Sequence, residues 1–248
     1  MKEDRAFWNQ FAEDYAAAEE TSRLPVARDV TAWLLDEGLL PTKSLVDLAA
    51  GTGRYAARFA AHVQQLTLID WSSAMLAYAR QQLTANSTTS VNFITADWHQ
   101  LEARPAADLI FVSQLPTLEA NELSLLTNWA NQGVVLNFQT EQSDALMDRA
   151  LTYLGQAVPV AYQADPTRVA SYQQWLHAHQ VPFKAHTLTY HLEEQTTISD
   201  LLPELTVPVG VKAASQLAKA LTGNGNAHMP VTDHLTYTYT QLVWHSDH

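Results

Sequence analysis

The sequence predicts an α/β chain: a doubly wound sheet, mostly parallel with an antiparallel C-terminal strand, and helices on both faces. Three observations predict it. Short apolar runs alternate with helix-period stretches through residues 44–138, as strands buried under helices on both faces do. A Gly51-Thr52-Gly53 turn stands between the first of those strands and a helical stretch, where a tight connection is required. Towards the C-terminus Leu235, Tyr237 and Tyr239 alternate with Thr236, Thr238 and Thr240, the period of a half-buried antiparallel strand.

The elements follow in order. Phe7, Trp8, Phe11 and Tyr15 recur at helical spacing and predict an amphipathic helix over 4–18. Val26, Val30, Trp33 and Leu34 mark a second helix with Pro25 near its first turn. Residues 44–49 read as a buried strand, 55–63 as an alanine-rich helix and 66–70 as the next strand. Ser72 is placed to cap a helix whose apolar face is Met75, Leu76, Ala79 and Leu83. Strands at 91–94, 108–113 and 133–138 continue the alternation, with a helix about Leu123, Leu126 and Trp129. Beyond them the pattern loosens. A helix near 168–179, a strand at 184–192 and a partly helical stretch at 209–221 precede the last strand. With no repeat, linker or low-complexity tract, the expectation is one domain over 1–248, an N-terminal helical cap at about 4–40 and insertions at about 139–181 and 193–231.

Composition limits the function. Hydrophobic residues make up 47% of the 248 and charged residues 16%, which suits a packed globular chain. There is no cysteine, so disulfides, thiolate metal sites and cysteine nucleophiles are excluded together. The histidines lack metal-ligand spacing with a partner acid, and no metal is expected. The formal net charge is −12, with 14 Lys and Arg against 26 acids. Phosphate backbones are bound largely through Lys and Arg, so nucleic acid is not expected as a partner and a small molecule is. No run approaches a membrane span, and the charged N-terminus does not read as a signal segment; a cytoplasmic location with no membrane partner is the expectation.

The informative stretch is 45–54. Gly51 and Gly53 allow backbone N–H groups close to a ligand. Asp70 ends the next strand 19 residues after Gly51, where a carboxylate can accept both hydroxyls of an adenosine ribose. Asp97 follows the third strand. Each lies at a strand C-terminus, where open α/β sheets bind ligands. Glycines that merely turn the chain and acids that are solvated strand ends would explain any one of these residues, but less well all three strands. Gly51-Thr-Gly-Arg-Tyr-Ala56 also fits a dinucleotide fingerprint, so an NAD-binding oxidoreductase is the competing reading. Asp47, just before the turn, would repel a pyrophosphate and suits a cationic amino group better.

These motifs resemble the class I S-adenosylmethionine-dependent methyltransferases of the broad small-molecule type. Residues 47–53 resemble that family's glycine-rich first motif, 69–75 its second, 95–98 the acidic region after the third strand, 108–115 the fourth strand, and 8–15 the helix that covers the cofactor. The resemblance covers about residues 5–140 and implies a Rossmann-like fold with S-adenosylmethionine as cofactor. It implies that Asp47 and the backbone at Ala49 and Gly51 hold the methionine portion, with Gly53 in the same cofactor-binding turn. Asp70 would take the ribose hydroxyls, and Trp71 and Met75 would pack on the adenine. Asp97 would accept the adenine amino group, Trp98 would add a stacking face, and Ser113 and Gln114 would lie beside the methyl group. Tyr15 would be part of the lid. Family members usually carry glycine where this chain has Ala49.

Methyl transfer needs alignment more than a catalytic group, and the residues identify no general base. Residues 113–116, Ser-Gln-Leu-Pro, lack the signature of amino-methylating DNA enzymes. The expected activity is O-, N- or C-methylation of a small-molecule acceptor, with RNA or protein less favoured. A non-catalytic S-adenosylmethionine-binding protein of the same fold is the other alternative.

Overall fold

A computed structural model describes residues 4–83, 89–101, 104, 106–205 and 207–246. Met1–Glu3 of the charged N-terminus and Thr206 within the second expected insertion lie outside them. In chain order the elements are α1 (Arg5–Thr21), α2 (Val26–Asp36), β1 (Thr42–Leu48), α3 (Ala56–Phe59), β2 (Val63–Asp70) and α4 (Ser73–Leu83). Then come β3 (Ser90–Thr95), β4 (Ala107–Ser113), α5 (Leu123–Trp129), β5 (Ala130–Asp144), α6 (Ala145–Tyr153) and α7 (Pro166–Ala178). The last are β6 (Phe183–Thr197), α8 (Ile198–Leu201), α9 (Val211–Thr222) and β7 (Pro230–His245).

The sheet has seven strands in the order β3-β2-β1-β4-β5-β7-β6. β1 pairs parallel with β2 and β4, β3 with β2, and β5 with β4. β7 runs against both its neighbours: Ser246 N–H donates to the Gln132 carbonyl at 3.0 Å, and Gln195 Nε2 donates to Thr232 Oγ1 at 2.7 Å. The chain winds outward from β1 to β3 and returns to β4, so strand order reverses between β1 and β4. That reversal opens a crevice at the strands' C-terminal ends. The expected α/β sheet with an antiparallel C-terminal strand is the observed one.

The chain divides into two compact units: residues 1–138, 167–188 and 240–248 in one, 139–166 and 189–239 in the other. In the first unit β1 and β4 are buried along almost their whole length, as strands covered on both faces must be. Its core gathers Val46, Leu48, Ile110, Val112, Leu136 and Trp244, the last fully buried. α7 belongs here, with Val169, Tyr172 and Leu176 in that core and the Tyr172 hydroxyl donating to the Leu118 carbonyl at 2.9 Å. Within the expected insertion at 139–181, α7 thus presents an apolar face to this unit's core. The second unit has its own core of Leu146, Ala150, Ile198, Leu201, Leu217 and Ala218.

One local expectation is corrected. The helix over 55–63 shrinks to the single turn of α3 and a 3-10 turn at Ala60–His62. β-branched Val63 is drawn into pairing with Thr42 instead. α6 and α8 lie in segments the periodicity left unassigned.

β5 and β7 approach closely at Gly133, where an added Cβ would sit 2.7 Å from the Trp244 carbonyl oxygen. Backbone cannot yield as a side-chain tip can. Gly133→Ala should therefore destabilise the protein by about 1–3 kcal/mol, read as a fall of roughly 2–4 °C in Tm per kcal/mol. An unchanged thermal melt would show that the strands part there freely.

Candidate functional site

The site is built at the C-terminal ends of β1, β2 and β3. After β1 the chain turns at Ala49 (φ +57°), Gly51 (φ +54°) and Gly53 (φ +83°). Ala49 thus occupies the left-handed region that favours glycine. A Cβ on Gly53 would lie 3.0 Å from that of Ala79 in α4, whereas one on Gly51 would meet nothing within 4 Å. Gly53 is therefore needed for helix packing, and Gly51 faces open space.

Asp47 is 2% exposed, and its Oδ2 has no hydrogen-bond partner. Burial, then the charges of Asp70 and Glu19, push its carboxyl well above the usual range, and a bond from the Ala56 N–H opposes them. Asp70 is also buried. Its Oδ1 accepts from Ser72 N–H at 2.8 Å and its Oδ2 from Gly51 N–H at 2.9 Å. Burial raises its pKa and these backbone donors hold it down. Rather than a free strand end, Asp70 stitches the turns after β1 and β2 together. Ser72 caps α4 as expected, its Oγ accepting from Met75 N–H at 3.1 Å.

A cavity of about 230 Å³ opens beside these turns, between Asp70 and Trp71 on one side and Asp97, Trp98 and His99 on another, with Ala49, Leu115 and Thr117 also on its wall. Trp98 is buried in the core, and its Nε1 lacks a partner. Asp97 caps a short turn: its Oδ1 accepts from His99 N–H and faces His99 Nδ1, both at 3.0 Å. His99 Nε2 meets Glu122 Oε1 at 2.6 Å. Burial alone would lower the pKa of this imidazole, but the bonds with Glu122 and Asp97 outweigh it and leave it raised. Glu122 lies 23 residues from His99 in the chain, so no local spacing marks the pair.

β4 ends at Ser113, whose Oγ accepts from Asn137 Nδ2 at 2.9 Å. Asn137 Nδ2 also donates to the Tyr55 hydroxyl at 2.8 Å, and Gln241 Nε2 donates to Asn137 Oδ1 at 2.8 Å. Gln114 follows at φ +51°, its N–H on the Asn137 carbonyl. Sequence reasoning names Ser113 and Gln114 but not Tyr55, Asn137 and Gln241, which no local spacing connects.

Residues 45–132 match the model of a family described as a methyltransferase domain. Over 60 residues, 23% of the chain, it is 52% identical to a demethylmenaquinone methyltransferase of Chlamydia pneumoniae, and the match spans 25% of that protein's length. Magnesium protoporphyrin IX methyltransferase from Synechocystis PCC 6803, solved with bound SAH, is 16% identical with a TM-score of 0.58, covering 97% of this chain and 96% of that one. The same protein solved with SAM gives a TM-score of 0.52 at 16% identity, with 94% of each chain covered. The chain therefore has the class I methyltransferase fold.

The remaining expected residues divide. Trp71 lines the cavity, while Met75 is buried and is not on its wall. Helix α1 reaches the domain from outside the matched region. Its Arg5 Nε donates to the Trp71 carbonyl at 2.7 Å, and its Asn9 Oδ1 accepts from Ser72 Oγ at 2.8 Å. Tyr15 is half-buried, packed edge-on against Trp8 with centroids 6.0 Å apart. Tyr162, in the second unit, is exposed. Among the described residues no three His, Cys, Asp or Glu side chains are grouped to hold a metal ion, and no helix is long and apolar enough to cross a membrane.

Proposed function

We propose that the protein transfers a methyl group from S-adenosylmethionine to a small-molecule acceptor in the cytoplasm. The observation that carries this reading is the pairing of a buried, partnerless carboxylate oxygen on Asp47 with the Asp70-anchored glycine turn. An orphaned buried acceptor suits a cationic amino group and would repel a pyrophosphate, which supports this cofactor over NAD. Trp98, which lines the cavity, has a second buried polar atom without a partner, its Nε1 donor.

The residues fit the cofactor. Asp47 and the backbone at Ala49, Gly51 and Gly53 would hold its amino-acid portion. Asp70 retains lone pairs for the ribose hydroxyls beyond its two backbone bonds. Asp97 would accept the adenine amino group with an oxygen not fully used by His99, between the apolar faces of Trp71 and Trp98. When bound, the cofactor supplies an electrophilic methyl group on a sulfonium. Ser113 and Gln114 would border that group, held by the Asn137 network, and α1 with Tyr15 would exclude water. The net charge of −12 supports a small-molecule acceptor over nucleic acid.

Titration calorimetry with S-adenosylmethionine, S-adenosylhomocysteine and NAD tests the cofactor. Binding of both adenosyl ligands and not NAD is expected; NAD binding alone would sink the reading. Radiolabelled methyl transfer into metabolite pools, RNA and protein then tests the acceptor, and label confined to RNA or protein would overturn the small-molecule assignment. A bound cofactor with no transfer to any pool would leave a non-catalytic binding protein.

A further inference from the structure

Glu19 stands in the last turn of α1, and its carboxylate accepts a hydrogen bond from the hydroxyl of Thr52, inside the glycine turn. Thr52 is 1% exposed, so a side chain from the covering helix reaches the buried part of that turn. Arg54 and Tyr15 also face Glu19, and Arg54 Nη2 donates to the Leu24 carbonyl at 2.9 Å. The Asp47 carboxyl feels the charges of Glu19 and Asp70, and its Oδ2 is buried without a partner. Three carboxylates thus converge on one turn; Arg54 faces Glu19, but the buried Asp47 oxygen still has no partner.

Polar anchors tie the helix that carries Glu19 to both turns. Only Ala12 of α1 is buried, and Phe11 in its aromatic stripe is 36% exposed. Arg5 and Asn9 fix its first half to Trp71 and Ser72, and Glu19 fixes its end to Thr52. The two anchor points lie on the two turns that Asp70 joins.

We propose that Glu19 is a second carboxylate for the α-ammonium of the cofactor, and that this pairing holds α1 closed across the glycine turn. The proposal rests on the cofactor reading above and adds to it a residue that selects ligands by charge. S-adenosylmethionine and S-adenosylhomocysteine carry the ammonium. 5′-Methylthioadenosine offers the same nucleoside without it.

Glu19→Gln keeps the shape and an acceptor for the Thr52 hydroxyl, so it removes charge and little else. Calorimetric titration of wild type and E19Q with the three ligands should show S-adenosylmethionine and S-adenosylhomocysteine weakened by about tenfold or more, and methylthioadenosine unchanged within about twofold. Hydrogen exchange should show α1 amides protected by S-adenosylhomocysteine in the wild type and less so in E19Q. Equal affinities for E19Q and wild type would overturn the proposal alone. A matching loss for methylthioadenosine would also overturn it, by making Glu19 a structural prop. A wild type that binds neither adenosyl amino acid would sink the cofactor reading and this proposal with it.

Discussion

Asp70→Ala should weaken S-adenosylmethionine binding by roughly 30- to 1,000-fold, or about 2–4 kcal/mol, and should also destabilise the ligand-free protein. The first effect comes from losing charge-assisted acceptors for the ribose hydroxyls. The sequence alone suggests no second effect, since a solvated strand end would be dispensable. In the structure the carboxylate is 8% exposed and accepts from Gly51 N–H and Ser72 N–H. Alanine leaves both donors without a partner, at about 1–3 kcal/mol for each that water does not reach. Calorimetry and a ligand-free thermal melt separate the two effects. An unchanged melt would mean that water satisfies both amides; an unchanged affinity would remove Asp70 from the site.

Asp47→Asn should move stability and affinity in opposite directions. Burial, with Asp70 and Glu19 nearby, raises the Asp47 pKa in the folded protein. The unfolded chain ionises at the ordinary carboxylate pH. Between those two pH values the folded state binds more protons, so stability falls as pH rises. Asparagine removes that slope. The variant should be more stable than wild type at neutral pH by about 1–3 kcal/mol, worth roughly 2–4 °C in Tm per kcal/mol, and the gap should close towards acid. Cofactor affinity should fall by roughly 30-fold, about 2 kcal/mol, because a cationic amino group then faces a neutral amide. Wild-type affinity should itself decline as acid protonates Asp47. A variant that is less stable, or that binds normally, would contradict the role given to the buried carboxylate.

The parallel half of the sheet was legible because covered strands are apolar throughout and their turns carry glycine. The strand-end positions of Asp47, Asp70 and Asp97 came with them, because chain order and the parallel sheet put each acid near one edge. Contacts that join distant residues were not legible. Glu19 meets Thr52 across 33 residues, and Gln241 reaches Asn137 across 104. His99 meets Glu122 only because a short turn and a capped helix start face each other. Some of what was missed did leave a local signal. Asp144 accepts from Met147 N–H at 2.7 Å to cap α6, and Thr197 with Asp200 forms a capping box at α8. Those spacings are readable N-terminal signatures, overlooked where hydrophobic periodicity was weak.

The position of β7 bears on how the chain is made. It is the last strand in sequence but lies between β5 and β6, and it brings Leu242 and Trp244 into the main core. A chain emerging N-terminus first at about 5–20 residues per second therefore has six strands translated while the slot between two of them is still vacant. β5 and β6 each expose an unpaired edge during that interval, the condition under which nascent chains associate with one another. Closure of the sheet waits on residues 230–245, so a nascent chain that stalls before them has an open sheet and a gap where Trp244 belongs.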